Sequence, residues 1–256
     1  MSREPLTIKL GGVAGAHAAS MAVLAERAEP GWVVVHGGGG EVGDWSRRLG
    51  FVPATVDGLR VTDPETLVVA VAVLRGLVNA RLVAAFVVAG VPAIGLGGAD
   101  GDLLGAERFD ARLGEVGRIC RVNGPLLAAL TDQWIPVVAP IARGTGAELP
   151  NVNADEVAGA IAAARGGRLL LLTDVPGVLR DAAPVAALTA DQAEEMLAEG
   201  SASGGMRPKL RAAIAAARAG CDVGIVDGTD PEAVRAALDR SMTGTTVTAA
   251  SAARIG

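Results

Sequence analysis

Short apolar runs of strand length alternate with longer Ala-rich stretches along almost the whole chain. The runs at 6–10, 32–36, 93–96, 135–139, 169–173 and 222–226 are apolar on both faces. Strands of that kind lie in a sheet covered by helices on each side. Stretches of helical length separate most of them, at 16–28, 41–49, 65–89, 154–165, 190–199, 209–219 and 231–238. This rhythm predicts an α/β protein, a three-layer αβα sandwich around a mainly parallel central sheet. Residues 51–61 and 103–122 break the rhythm and alternate as hairpins do, with turn residues at Gly114-Glu115-Val116-Gly117. They are expected as antiparallel β-hairpin flaps at the strand ends, where open α/β sheets hold their ligands. The chain after Thr243 reads as a small, polar tail with a frayed end.

The 256 residues, 50% hydrophobic and 20% charged, suit one compact unit with ample core. A net charge of −5 speaks against nucleic acid as a partner, because phosphate binding calls for a basic face. With no Tyr and three Phe there are few platforms on which bases could stack. The most apolar region, 67–98, is cut by Arg75 and Arg81 and later by Gly90 and Pro92. It reads as helix, turn and buried strand rather than as a membrane span. No apolar signal segment opens the chain, so the cytoplasm is the expected compartment. Cys120 and Cys221 lack CxxC partners and are expected as reduced packing residues.

The basic residues carry the first chemical hint. Of 23 Lys and Arg, only Lys9 and Lys209 are lysines. A position that stays Lys against such a bias needs a compact, mobile ammonium rather than a planar guanidinium. Lys9 ends an apolar run before Gly11-Gly12, and Lys209 follows Gly204-Gly205-Met206-Arg207-Pro208. Point charges beside glycine-rich backbone are what a site handling phosphate oxygens requires. The strongest local signal is Val33-Val34-Val35-His36-Gly37-Gly38-Gly39-Gly40, a buried strand running into four glycines and then a helix. Such a turn aims several N–H groups at one anion.

The segment from Gly38 to Gly43 formally matches the dinucleotide pattern GxGxxG, with Asp63 at the offset of a ribose-binding acid. Asp63 precedes Pro64, however, and reads as a helix cap rather than a strand end. The Walker A pattern is absent. In Asn151-Val152-Asn153-Ala154-Asp155, Asn153 suits a helix cap and Asp155 its first turn, or else the amides face a ligand and the carboxylate orients the lysines. Thr173-Asp174-Val175-Pro176-Gly177-Val178 reads as a plain turn or as a nucleotide-binding lip at a strand's carboxyl end.

Together these segments resemble the amino acid kinase family, and within it the branch that phosphorylates N-acetylglutamate. The pieces that match are the Lys9 run, the His36 glycine loop, Gly58-Leu59-Arg60-Val61-Thr62, Asn79, the Asn151 and Thr173 runs, and the segment from Gly204 to Lys209. They follow the family's order and spacing from residue 6 to about 250. The resemblance implies the amino acid kinase fold as a single domain over 1–256. Its N-terminal lobe, about 1–150, would bind the acyl-amino acid and dimerise, and its C-terminal lobe, about 151–256, would bind nucleotide. It also implies MgATP and N-acetyl-L-glutamate as substrates, the product N-acetyl-L-glutamyl 5-phosphate, and a place in arginine biosynthesis.

By the same resemblance Lys9 bridges the transferring phosphoryl group, Lys209 stabilises the leaving oxygen and Asp155 holds both ammoniums. The amides of Gly11 and Gly12 take phosphoryl oxygens. Gly38 and Gly39 bind the acyl-amino acid, Arg60 clamps its α-carboxylate and Asn151 binds its N-acetyl or a nearby polar group. The nucleotide lies near Asp174, Val175, Pro176, Gly177, Val178 and Leu179, and near Ser201, Ala202 and Ser203. Mg²⁺ is held by phosphates and water, with no dedicated ligands. His36 is expected to be structural, because an ionised carboxylate nucleophile needs no base. The short stretch before the first strand implies a homodimer without arginine feedback. Two rivals stand beside this reading. One is a kinase acting on carrier-protein-bound aminoadipate or glutamate, disfavoured by the acidic chain. The other is a silent binding protein on the same fold, disfavoured by the intact lysines.

Overall fold

The computed structural model describes residues 4–12, 17–52, 54–56, 59–181 and 183–249. Strand β1 (Leu6–Leu10) leads to helix α1 (Ala18–Arg27), and β2 (Trp32–His36) leads to α2 (Gly39–Arg48). The short hairpin β3 (Thr55–Val56) and β4 (Leu59–Arg60) precedes the long helix α3 (Pro64–Val88). Then come β5 (Ala93–Leu96), the hairpin β6 (Leu104–Arg108) and β7 (Gly117–Val122), α4 (Gly124–Thr131) and β8 (Ile135–Val138). Helix α5 (Ala154–Arg165) opens the second half. It is followed by β9 (Arg168–Thr173), the hairpin β10 (Leu179–Arg180) and β11 (Ala183–Pro184), and β12 (Ala187–Thr189). Helices α6 (Ala190–Glu199) and α7 (Met206–Arg218), β13 (Asp222–Asp227), α8 (Pro231–Leu238) and β14 (Thr245–Thr248) complete the chain.

The central sheet has the order β12-β14-β13-β9-β1-β2-β8-β5. The six strands from β13 to β5 are parallel, while β14 runs antiparallel to β13. The predicted sandwich and its hairpin flaps are therefore present. Side chains alternate across the sheet. Leu6, Ile8 and Leu10 of β1 pack with α1, α2, α3 and α8, while the core on the other face is built from α4, α5, α6 and α7. Lys9 falls on the α5 side of that alternation.

Some expectations need correction. The chain after Thr243 is not a tail as far as residue 249: Thr245–Thr248 forms β14, with Thr245 and Val247 fully buried. Its end at 250–256 lies outside the described residues. Strand β12 and helix α4 lie in segments to which the apolar pattern assigns no element. Helix α7 starts three residues before Lys209, at Met206. The predicted start at Ala16, like Gly58 of the Arg60 motif, lies outside the described residues.

Helix α3 is, among the described residues, the one helix long and apolar enough to cross a membrane by length and composition. Val69, Val73, Leu74, Val78, Leu82 and Phe86 commit one face to the core. Its middle, Val71–Val78, widens into π-helical turns.

Candidate active site

The carboxyl ends of β1, β2 and β9 meet at the centre of the sheet, and the glycine turns leave from there. Gly11 donates to the Leu172 carbonyl and Gly37 to the Leu10 carbonyl, so both turns are tied to neighbouring strands. A Cβ on Gly11 would lie 2.9 Å from that Leu172 oxygen, which leaves no room for a side chain. Gly38, at φ 146°, caps α2 in a conformation that L residues rarely adopt.

Beside these turns lies a cleft of about 290 Å³, lined by Lys9, Gly12, Gly38, Gly39, Arg60, Asn151 and Asp155. Apolar Val42, Leu74, Pro140 and Val152 complete its walls. The N-termini of α2 and α5 both open on it, bringing the positive ends of two helix dipoles to one place.

Asp155 joins the two lysines. Lys9 Nζ lies 2.9 Å from Asp155 Oδ1, and Lys209 Nζ lies 3.6 Å from Oδ2. All three side chains are largely buried, at 7%, 12% and 6% exposure for Lys9, Lys209 and Asp155. The Lys9 contact is an ion pair without aligned hydrogen-bond geometry, so the carboxylate neutralises the ammonium without fixing its direction. Burial pushes the Lys209 ammonium below its ordinary pKa, against the pull of Asp155, and Lys9 adds repulsion. One negative and two positive charges leave a net positive centre in a poorly solvated place, where attraction for an anion is strong.

Local sequence explains the convergence. Asn153 caps α5, its side chain accepting from the amides of Asp155 and Glu156. Asn153 is thus the cap of α5, and Asp155 in its first turn faces the two lysines. Helix α5 packs against α7 at Gly159, where a Cβ would lie 3.0 Å from the Ala212 carbonyl oxygen. Asp155 is one turn before Gly159 and Lys209 one turn before Ala212, so the close crossing sets the Asp155–Lys209 distance.

On the opposite wall Arg60 Nη2 donates to the Gly39 carbonyl at 2.6 Å, while Nη1 is buried without a partner. Burial, and Arg47 nearby, lower the Arg60 pKa. Asn151 donates to the Thr62 hydroxyl at 3.2 Å and lines the same cleft. The residues expected at the nucleotide lie apart from this cleft. Asp174 and Pro176 are exposed after β9, and Asp174 is close enough to Lys209 to act on its charge. Val175 is half-buried and Leu179 exposed, while Gly177 is buried beneath them. Val178 is a core residue whose amide donates to the Thr245 hydroxyl, so it supports the lip from below. Ser201 and Ser203 are exposed between α6 and α7, and Ala202 between them is buried.

The cleft's apolar walls were not legible in the sequence, whereas Thr62, which holds Asn151, belongs to the Arg60 motif. Val42, Leu74, Pro140 and Val152 carry no chemical mark that separates a cleft wall from core, since apolar side chains serve both.

Comparison with known proteins agrees with this geometry. The amino acid kinase family profile matches residues 8–227. An acetylglutamate kinase of Methanopyrus kandleri is 48% identical over 207 residues, covering 76% of this chain and 84% of that protein. An acetylglutamate kinase of Rubrobacter xylanophilus is 46% identical over 216 residues, covering 84% of this chain and 85% of its own. Among solved structures, a Streptococcus mutans UA159 protein superposes with a TM-score of 0.82 at 26% identity, covering 96% of this chain and 98% of that one. Two lysines held by one buried aspartate, glycine turns at the ends of parallel strands and a match across most of the sequence have a single common source: the chain belongs to the amino acid kinase family.

Proposed function

We propose that this chain transfers the γ-phosphoryl group of MgATP to the γ-carboxylate of N-acetyl-L-glutamate, giving N-acetyl-L-glutamyl 5-phosphate and ADP, a step of arginine biosynthesis. The observation that carries the reading is the Lys9–Asp155–Lys209 centre at the edge of a cleft that also holds an unpaired guanidinium donor. The similarity to acetylglutamate kinases supports the substrate.

The nucleophile is a carboxylate already ionised at neutral pH, with a reference pKa of about 4.3, so no base is needed. Catalysis then consists of in-line placement and relief of repulsion between two anions. Lys9 lies on the cleft side and would bridge the carboxylate and the transferring phosphoryl group. Lys209, nearer Asp174, would balance charge on the leaving β–γ oxygen, and Asp155 would keep both ammoniums in register. The Gly12 amide would take a phosphoryl oxygen, while the Gly11 amide, already donated to the Leu172 carbonyl, holds the turn in place instead of binding phosphate. Arg60 Nη1 would donate to the α-carboxylate, with Gly38 and Gly39 beside it, and Asn151 would face the acetyl group. The nucleotide would lie along Asp174 to Leu179 and Ser201 to Ser203. MgATP enters as substrate, its ion carried by the phosphates.

The enzyme would work as a homodimer in the cytoplasm, where ATP is supplied. Val68, Ala72, Gly76, Ala80, Ala84 and Val88 recur every fourth residue on the exposed side of α3, a small apolar stripe suited to a second copy.

The test is to trap acyl phosphate with hydroxylamine after incubating the purified protein with MgATP and each of N-acetyl-L-glutamate, glutamate and N-acetyl-aminoadipate. Hydroxamate from N-acetyl-L-glutamate alone is expected. Hydroxamate only when an acidic carrier protein presents the substrate would overturn the free-acid reading.

A further inference from the structure

Beneath the glycine loop, His36 and the buried Asn79 begin a polar chain that phosphoryl transfer leaves without a task and that reaches the surface at Arg75 and Asp100. His36, 1% exposed, ends β2 with its Nδ1 2.7 Å from the Gly37 carbonyl oxygen. A carbonyl oxygen only accepts, so the ring proton sits on Nδ1. Burial pushes the imidazole down to about 4, against the Gly37 bond and with help from Arg75, so the ring is neutral at pH 7. Its bare Nε2 then accepts from Asn79 Nδ2 at 3.1 Å, and the same nitrogen donates to the Val137 carbonyl at 2.8 Å. Asn79 Oδ1 accepts from Arg75 Nη1 at 3.4 Å, and Arg75 Nη2 pairs with Asp100 at 3.0 Å.

The backbone is shaped around this chain. The π-helical turns of α3 end at Val78, directly before Asn79, and a wide turn changes where the next side chain projects. On the facing strand β5, a Cβ at Gly95 would lie 2.1 Å from Asn79 Oδ1, so only glycine leaves room for that oxygen.

A planar peptide carries its carbonyl and its amide on opposite edges. With the Gly37 carbonyl drawn to His36, the Gly38 amide of the same peptide is turned the other way. Gly38 lines the cleft, and among the described residues no backbone carbonyl accepts from its amide. We propose that His36 and Asn79 are positioning residues that lock the Gly37–Gly38 peptide so that an amide, and not a carbonyl, faces the anionic acyl-amino acid. The proposal rests on the kinase reading above. His36 neither touches substrate nor exchanges a proton; it acts through the peptide. Without the Nδ1 donor the peptide rotates and sets carbonyl lone pairs against a carboxylate.

Two variants separate the lock from general support of the fold. His36→Asn keeps a donor near the Nδ1 position, whereas His36→Gln places its amide near the Nε2 position and leaves the Gly37 carbonyl without a partner. H36Q is expected to raise KM for N-acetyl-L-glutamate about tenfold, the worth of one hydrogen bond to a charged group. KM for MgATP stays unchanged, and H36N restores the acyl-amino acid KM to within about threefold of wild type. Thermal unfolding is followed in parallel. Equal KM values for folded H36Q and H36N would overturn the lock. If H36Q does not fold, or if wild type turns over no free acid and the kinase reading fails, the ¹⁵N shifts of the wild-type imidazole decide. A protonated Nδ1 with a bare Nε2 is expected, and a protonated Nε2 would overturn the proposal.

Discussion

Lys9 and Lys209 reach one carboxylate from two directions, and each has to fit a space built for an ammonium. Replacing either by Arg keeps the charge but adds a planar fork to a side chain that is 7% or 12% exposed. Lys9→Arg and Lys209→Arg are each expected to lower kcat by about 10²–10³-fold, the usual loss when one preorganised donor to a developing charge is removed. Both variants should unfold within a few degrees of wild type, and steady-state kinetics beside a melting curve checks this. His36 gives a second, pH-dependent test. Its folded pKa of about 4 lies below the ordinary 6.5, so the unfolded chain binds the proton more readily. Its neutral form therefore supports the fold above pH 6.5, and that support is lost as pH falls toward 4. The difference is on the order of 3 kcal/mol. Urea midpoints of wild type and His36→Gln should converge over that window, and a constant gap would contradict the buried neutral ring. Lys9 and Lys209 were legible in the sequence because they are the only two lysines among 23 basic residues and each stands beside glycines. His36 was legible only as structural, since its partner Asn79 is 43 positions away.

Helices α5 and α7 turn a local contact into a catalytic distance. Gly159 lets the Ala212 backbone approach to within the reach of a Cβ, and the two charged residues lie one turn toward the cleft from that crossing. Gly159→Ala should push the helices apart and cost about 1–3 kcal/mol, as overpacking does. Since the Asp155–Lys209 separation widens with it, kcat should fall while KM for N-acetyl-L-glutamate barely changes. An unchanged kcat in a folded variant would uncouple the crossing from the site. Elements with a plain period were legible: the six central strands and most helices stand where alternation and Ala-rich runs put them. Strand β14 was not. Its Thr245-Thr246-Val247-Thr248 looks polar and short, yet the Thr245 hydroxyl accepts from the Val178 amide and donates to the Val185 carbonyl. Those partners lie 67 and 60 residues away, and no local pattern reports them.

Across the whole molecule the sheet order places β1 between β2 and β9, so the cleft that Lys9 lines and the Asp174 turn after β9, whose charge acts on Lys209, meet at the Lys9–Asp155–Lys209 centre. The general position of such a site, at the carboxyl ends of parallel strands, follows from fold class alone. The outer face of α3 leads to a further expectation. Light scattering should give twice the 25.6 kDa chain mass, and Ala80→Glu, which puts charge in the middle of the stripe, should return the monomer mass. A monomeric wild type would remove the proposed homodimer.

In the proposed reaction a carboxylate oxygen of the substrate attacks phosphorus directly. N-acetyl-L-glutamate carrying ¹⁸O in its γ-carboxylate tests it. After reaction with MgATP, hydroxylamine attacks the acyl carbon and expels the phosphate with the bridging oxygen. One ¹⁸O is expected in that inorganic phosphate, matched to hydroxamate and ADP in equal amounts. Unlabelled phosphate without hydroxamate would mean that water, and not the carboxylate, received the phosphoryl group.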